Sequence, residues 1–449
     1  MAVTRGEFQS RVGFIFAAAG SAVGLGNIWG FPTQAASNGG AAFLITYLVL
    51  AFVLAYPALM AELLIGRYTH RNMVQALESL PKARPIRLAG KLTGLAGLFT
   101  ASLILSFYAI VAGWMLGFSA AYPLGAAGLT MASEWLVAFT PSRNLFLMLG
   151  FMGLTVAVVL GGVENGIERW SRRLMPLLIA TLVALAAYVL TLDGALVGLE
   201  AYLLPDLGKV LSGDLLLDAL GSAFFSLSLG VGTMLIYGSY LSDQENVPRV
   251  GAQVALVDVG IAVLAGFLIL PAMYVADARG VAIFNESGGL LSEDTLIFSV
   301  LPALFETMST TGVWLATAFF LLMSIAALTS SISMLEVPVA YLIEKFELSR
   351  RRATLIAGVA IALFSALVAV NFDTLFGLVI TVSTRYSQPI LGIAVCIFAG
   401  WIWHRDALLL ELSKSDTNAI NGPFWRIWPF YVKYFCPVII GVIVIQSIL

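Results

Sequence analysis

Charge is what this sequence has least of. Only 11% of its 449 residues are Asp, Glu, Lys or Arg, against 60% hydrophobic, and a chain of that size cannot clothe itself in an ordinary water-facing surface. A mean hydropathy of +0.94 makes the bilayer its main solvent and leaves no stretch over for a soluble domain. Histidine is scarce too. The two, His70 and His404, fall in loops away from any intramembrane carboxylate, so neither a metal cluster nor a catalytic triad is supported, and no nucleophile with a neighbouring base can be named. The two cysteines, Cys396 and Cys436, fall in apolar segments, where packing as small hydrophobes is expected rather than a disulfide or metal site. The net charge of -2 says nothing about partners, and nothing points to nucleic acid.

What the chain has instead is a series of apolar runs, each near the roughly 20 residues that a helix needs to cross hydrocarbon. They predict eleven transmembrane helices near 11-36, 41-66, 92-122, 144-161, 166-190, 216-241, 250-276, 312-343, 353-370, 374-402 and 428-448. The first run follows Arg5 and Arg11 in the manner of a signal peptide, but it continues through Gly24 and Asn27 to Pro32, longer than a signal core. With residues 1-10 in the cytoplasm, all but Arg143, Lys209, Arg279 and Arg385 of the 24 basic residues fall on cytoplasmic segments. That is the bias expected of inside loops. The arrangement makes 191-215 and 277-311 extracellular, 403-427 cytoplasmic, and places Leu449 outside, at the end of a last helix in 428-449, in a multi-pass protein of the plasma membrane.

Two runs carry breaks. Ala22-Val23-Gly24-Leu25-Gly26-Asn27 lies inside the first span and Phe225-Ser226-Leu227-Ser228-Leu229-Gly230-Val231-Gly232 inside the sixth. Each has two glycines two residues apart, which weaken a helix. Unwound backbone in lipid is tolerated only where it is buried in protein or lines a cavity, so matched breaks five helices apart predict a binding site between two halves. A half-helix beginning after Gly24 offers free N–H groups to an anion such as a carboxylate, and freed carbonyls suit cations. The plainer alternative is that such glycines only let helices pack closely. Glu62, Asp258, Arg385 and Gln388 also fall within spans, where charge is costly and a partner is expected. Thr329-Ser330-Ser331 follow the small Ala326 and Ala327. Their hydroxyls suit a hard cation, or bond back to their own helix.

The first break, Phe31-Pro32, Asn38-Gly39-Gly40, Glu62, Gly66-Arg67, the stretch Ser226 to Gly230, Tyr240 and the hydroxyl run together closely resemble the neurotransmitter:sodium symporter family over almost the full chain. The resemblance implies an all-α integral membrane protein of the LeuT fold: a 5+5 inverted repeat over 11-190 and 216-402, with helices 1 and 6 broken and transport by alternating access. The chain is also similar to bacterial members that have eleven helices. By this resemblance a first sodium ion is held by the Ala22 carbonyl, Asn27, Ser226 and Asp258, with the substrate carboxylate completing the shell. A second is held by the carbonyls of Gly20, Val23 and Ala326 and the hydroxyls of Thr329 and Ser330. The substrate carboxylate meets the N–H groups of Leu25 and Gly26 and the hydroxyl of Tyr108. Gly166 and Pro176 in helix 5 resemble a motif for local unwinding, Arg5 and Glu344 an intracellular gate pair, and Glu62 and Gln388 a structural polar pair linking helices 2 and 10.

Departures from the family pattern sharpen the reading. Asp258 stands where relatives carry Asn, and Ala262 where they carry Glu or Ser, the Ser serving bound chloride. Chloride independence is therefore expected. The extracellular gate arginine is replaced by Trp29-Gly30, so the ion pair to Asp373 is missing, and packing of Trp29 against Tyr240 is the candidate substitute. The family suggests that 277-311, with Glu286, Glu293, Asp294 and Glu306, forms an external lid. Gly24 in place of an aspartate argues for a substrate with its own carboxylate. The aligned wall, Ser21, Ile104, Tyr108, Phe225, Ser228, Val231 and Met334, is uncharged, as an apolar side chain requires. Hydrophobic L-amino acids, Leu, Ile, Val, Met, Phe, Tyr and Trp, are the expected cargo. The competing class is a transporter-like receptor that binds without transport, which is expected to carry an added signalling domain; none is legible here.

Overall fold

A backbone crossing hydrocarbon has no water to bond, so each crossing must satisfy its own N–H and C=O groups. The computed structural model describes residues 6–204, 213–283, 296–416 and 419–448, and among these there is helix but no strand. The first helix, α1 (Arg11–Ala22), starts on Ser10, whose side chain accepts from the Gly13 N–H, and stops where Val23 turns extended. The chain re-enters helix as α2 (Gly26–Ser37), bent 59° from α1.

Then follow α3 (Ala41–Thr69), the short α4 (Met73–Ser79), α5 (Arg84–Ala126), the short α6 (Thr130–Val137), α7 (Pro141–Leu160), α8 (Val163–Val189) and α9 (Ala195–Leu203). The second half holds α10 (Gly213–Ser226), α11 (Thr233–Gly238), α12 (Val247–Ala278), α13 (Leu296–Glu306) and α14 (Ser309–Phe346). It ends with α15 (Arg350–Val370), α16 (Phe372–Ile402), α17 (Arg405–Ser413) and α18 (Pro423–Gln446).

Eight of these helices are long and apolar enough to cross a membrane, or up to ten crossings arise if each bent pair, α1 with α2 and α16 with α17, is one span. The remaining expected crossing, 216-241, falls on α10 and α11, of 14 and 6 residues. At 1.5 Å per residue neither covers a core of roughly 30 Å. Other boundaries shift for a simple reason. Hydropathy ends where charge begins, but helix does not, so α5 runs 43 residues where 92-122 was expected, and its first turns carry Arg84, Arg87 and Lys91 beyond the apolar stretch. Short helices α4, α6, α9, α13 and α17 occupy segments with no predicted structure.

Burial of polar groups is managed by pairing. Arg67, at the edge of a basic loop in the sequence, is fully buried. Its guanidinium donates to the Glu411 carboxylate, to the Glu245 carbonyl, and to the Glu411 carbonyl at 2.7 Å. Cys396 and Cys436 are buried free thiols.

Candidate functional site

Ending α1 at Ala22 strips its last carbonyls of helical partners, and the structure shows where they go. The Ser228 hydroxyl donates to Ser21 O at 3.0 Å, and Ser330 donates to Val23 O at 2.9 Å and Gly20 O at 3.3 Å. Beyond the break, Leu25 N–H donates to the Tyr108 hydroxyl at 3.2 Å and Gly24 N–H to Asn27 Oδ1 at 3.1 Å. The second break, 227–232, runs with Ser228, Gly230 and Gly232 at positive φ. Gly230 is required twice over: its φ is +85°, and an added Cβ would meet Gly392 N at 2.9 Å.

The two breaks enclose a cavity of about 30 Å³, lined by Ala22, Gly24, Leu25, Gly26, Ile104 and Tyr108 from one side and by Phe225, Ser226, Ser228, Val231, Ser330, Met334 and Gln388 from the other. Every residue expected to contact substrate lines it except Ser21, whose hydroxyl instead donates to Ser333 at 2.7 Å. Its volume holds a couple of waters at most, too small for a bulky side chain without movement of the lining residues. The wall contains no ionisable carboxylate or cation.

Beside the cavity stand two oxygen-rich clusters. In the first, Asn27 Nδ2 donates to Ser226 Oγ at 2.9 Å and Asp258 Oδ1 at 2.7 Å, and Ser226 donates to Asp258 Oδ2 at 2.7 Å. Tyr47, absent from the sequence reading, adds its hydroxyl to Ser226 at 3.3 Å. In the second, Ser330 Oγ reaches the Gly20, Val23 and Ala326 carbonyls, and Thr329 Oγ1 reaches Ala326 O at 3.0 Å. Three carbonyls and two hydroxyls without a nitrogen or sulfur donor form the kind of set that hard cations take.

Several expected roles are corrected. Glu62 does not pair with Gln388: its carboxylate accepts from Gly230 N–H at 2.6 Å and Leu235 N–H at 3.2 Å, satisfying backbone freed by the second break. Gln388 lines the cavity instead. Arg385 is exposed rather than paired inside, and it faces an outer cavity of about 420 Å³ shared with Gln34 and Asp218. Tyr240 does not meet Trp29. It donates to Glu336 at 2.6 Å and packs on Phe8, which precedes α1, whereas Trp29 lies beyond the break, 5.8 Å from the Phe298 ring. Tyr240 thus packs at the start of α1, whereas Trp29 lies on the far side of the break, in the first turn of α2. Glu336 and its bidentate partner Arg350, at 2.5 and 2.8 Å, were missed, although Glu336 falls within the span at 312-343 and the cost of intramembrane charge marks it as plainly as Asp258. Arg5 lies outside the described residues, as do Glu286, Glu293 and Asp294; Glu344 accepts from the backbone and side chain of Asn72 at 2.9 and 2.7 Å.

The sequence model of the sodium:neurotransmitter symporter family matches residues 5–123 and 140–449. The chain belongs to this family. It is 33% identical to a sodium-dependent transporter of Bacillus subtilis, YhdH, over 98% of this chain and 97% of that one. A Haemophilus influenzae sodium-dependent transporter is 30% identical over 99% and 98%, and the human sodium- and chloride-dependent GABA transporter 2 is 27% identical over 80% and 66%. The crystal structure of MhsT in complex with L-phenylalanine superposes with a TM-score of 0.83 at 34% identity, covering 99% of this chain and 100% of that one. The symporter therefore has the LeuT-type fold and is a sodium-dependent multi-pass transporter, not an enzyme.

At one end of the symporter Phe298, on α13, gathers an aromatic cover. Its ring lies 5.5 Å from Trp114, 5.4 Å from Phe118 and 6.3 Å from Phe320, in addition to Trp29. Trp114 in turn contacts Phe372 and Phe376, leaving the neighbouring Asp373 exposed. At the other end the start of α8 grips the chain before α1: Glu168 accepts from Gln9 N–H and from the Ser10 hydroxyl, both at 2.7 Å. Gly166 lies in a π-turn, Val163–Glu168, directly joined to the helix that contains Pro176.

Proposed function

We propose that the protein is a chloride-independent symporter that imports hydrophobic aliphatic and aromatic L-amino acids with sodium by alternating access. The observation that carries this is the cavity between the two breaks, with bare Gly24 and the Leu25 N–H beside the Tyr108 hydroxyl at one end and uncharged walls elsewhere. A carboxylate is neutralised at such a helix start, while a charged side chain would be buried unpaired against the uncharged wall. The neighbour MhsT is described with phenylalanine bound, which supports the same cargo.

In this reading one sodium ion is carried among the Ala22 carbonyl, Asn27, Ser226 and Asp258, and a second among Gly20, Val23, Ala326, Thr329 and Ser330. Asp258 supplies a fixed negative charge beside the first ion, and this removes the need for chloride. Because the substrate carboxylate and the first ion complete each other's shells, their affinities rise together by linkage. The end bearing Phe8 faces the cytoplasm and the aromatic cover faces outside, with 11-190 and 216-402 as the two inverted repeats and eleven crossings in all. Trp29 and Phe298 take the place of the missing gate pair, and Arg5 with Glu344 closes the inner mouth.

Labelled leucine uptake into proteoliposomes tests the whole reading. An inward sodium gradient should drive accumulation, potassium in place of sodium should abolish it, and gluconate in place of chloride should leave it unchanged. Binding without accumulation would mark a receptor, and a loss of uptake without chloride would refute the role of Asp258.

A further inference from the structure

The polar groups around the central cavity are nearly all committed. Tyr108 accepts from Leu25 N–H. Ser226 donates to Asp258, Ser228 to Ser21 O, and Ser330 to Val23 O. Gln388 is the exception. The residue is 3% exposed, and among the described residues its Oε1 has no hydrogen-bond partner. A buried amide left in this state is costly, and native structures seldom leave one without a reason.

Its position suggests the reason. Phe225 and Gln388 line both the central cavity and the outer cavity of about 420 Å³, so this is the direction in which a 30 Å³ space has room to extend when a bulky side chain enters. In the proposed reading the substrate carboxylate sits at the Leu25 N–H and the Tyr108 hydroxyl, and Phe225 packs beside that break at Gly26. Gln388 shares this wall with Phe225, Val231, Ile104 and Met334, so a long side chain that extends from the small cavity toward the larger one passes it.

We propose that Gln388 is a specificity-determining residue, its buried amide oxygen accepting a hydrogen bond from the ring O–H of tyrosine or the ring N–H of tryptophan, so that these are preferred over phenylalanine. This rests on the reading of the cavity as the amino-acid site and adds a polar end to a substrate class that the aligned wall describes only as apolar. The contrast has a sign. In a wholly apolar pocket phenylalanine outcompetes tyrosine, because the hydroxyl must be desolvated unpaired; opposite a buried acceptor the order reverses, since phenylalanine leaves the amide unsatisfied.

The test is competition against sodium-driven labelled leucine uptake in proteoliposomes, comparing phenylalanine with tyrosine, and tryptophan with 1-methyltryptophan, which lacks the N–H donor. In the wild type, tyrosine and tryptophan should each inhibit at about fivefold lower concentration than the matched compound without the donor. Gln388→Met keeps the length of the side chain and removes the amide, and it should reverse the tyrosine–phenylalanine order, read as a ratio within that variant. Equal ranking of the pairs in the wild type overturns the proposal without any variant having to fold. An unchanged ratio in Gln388→Met also overturns it and assigns the amide to structure. A wild type without sodium-dependent leucine uptake defeats the amino-acid reading itself and the proposal with it, an outcome distinct from leucine uptake with no preference for the donor.

Discussion

At Gly24 a single missing methyl keeps space open at the centre of this protein. A Cβ on Gly24 would stand 2.7 Å from the Tyr108 hydroxyl and 2.8 Å from Ser330 Oγ, closer than atoms approach without displacement, and both groups belong to the cluster proposed to hold carboxylate and sodium. Gly24→Ala should therefore weaken leucine binding at least tenfold while leaving thermal stability in detergent nearly unchanged; equal affinity by saturation binding would remove Gly24 from the site. Asp258 is the other decisive residue. It is fully buried and takes hydrogen bonds from Asn27 and Ser226, so Asp258→Asn preserves shape and removes charge. Sodium affinity, read from the sodium dependence of leucine binding, should fall by tenfold or more; a variant with unaltered sodium dependence would leave Asp258 as a structural group.

At the scale of elements, the breaks persist because neighbouring helices complete them. The linker between α10 and α11 and the first turn of α11 have backbone N–H groups that no helix satisfies, and α3 brings Glu62 to one in each, Gly230 and Leu235. Leaving each donor unpaired in the interior costs about 1–3 kcal/mol. Glu62→Leu should lower the melting temperature markedly, and a melting curve identical to wild type would show that the linker finds other partners. The start of α8 is the second such element. Its π-turn, the Glu168 contacts to Gln9 and Ser10, and Pro176 one helical stretch later place a weak helix end against the chain that leads into α1. Pro176→Ala firms that helix. It should slow transport severalfold while leaving substrate binding from outside nearly intact, a split read by comparing initial uptake rates with equilibrium binding; equal loss in both would point to simple misfolding.

For the whole molecule, transport requires that the central cavity never opens to both sides. The two ends are closed by different physics. The Phe298 end is closed by rings, joining α2, α5, α13, α14 and α16 through Trp29, Trp114, Phe118, Phe320 and Phe376. The other end is closed by charge and hydrogen bonds, Arg350–Glu336–Tyr240 and Glu168–Ser10. Glu336 is fully buried, so salt screens its pair with Arg350 little, as it does the ring contacts. Phe298→Ala should loosen the first closure. A cysteine at Ile104, which lines the cavity, should then react several times faster with an impermeant thiol reagent, against a low background because Cys396 and Cys436 are both buried; an unchanged rate would deny Phe298 a gating role.

Composition by itself determined that this chain lives in a bilayer, since 11% charge leaves no other solvent for it. The paired glycines marked which two spans break, because helix weakness is a local property of a few residues, although α10 stops at Ser226, four residues before Gly230. The hydroxyls of Thr329 and Ser330 and the side chains of Asn27, Ser226 and Asp258 were legible as clusters through their resemblance to a known pattern, and the structure brings each set together. Partner choice was not legible. Whether Glu62 faces Gln388 or the freed N–H groups of the second break, and whether Tyr240 turns toward Trp29 or Glu336, depends on how helices are rotated and how far apart in depth two residues lie. Those are properties of packing between segments 96 to 173 residues apart, and only the tertiary structure decides them.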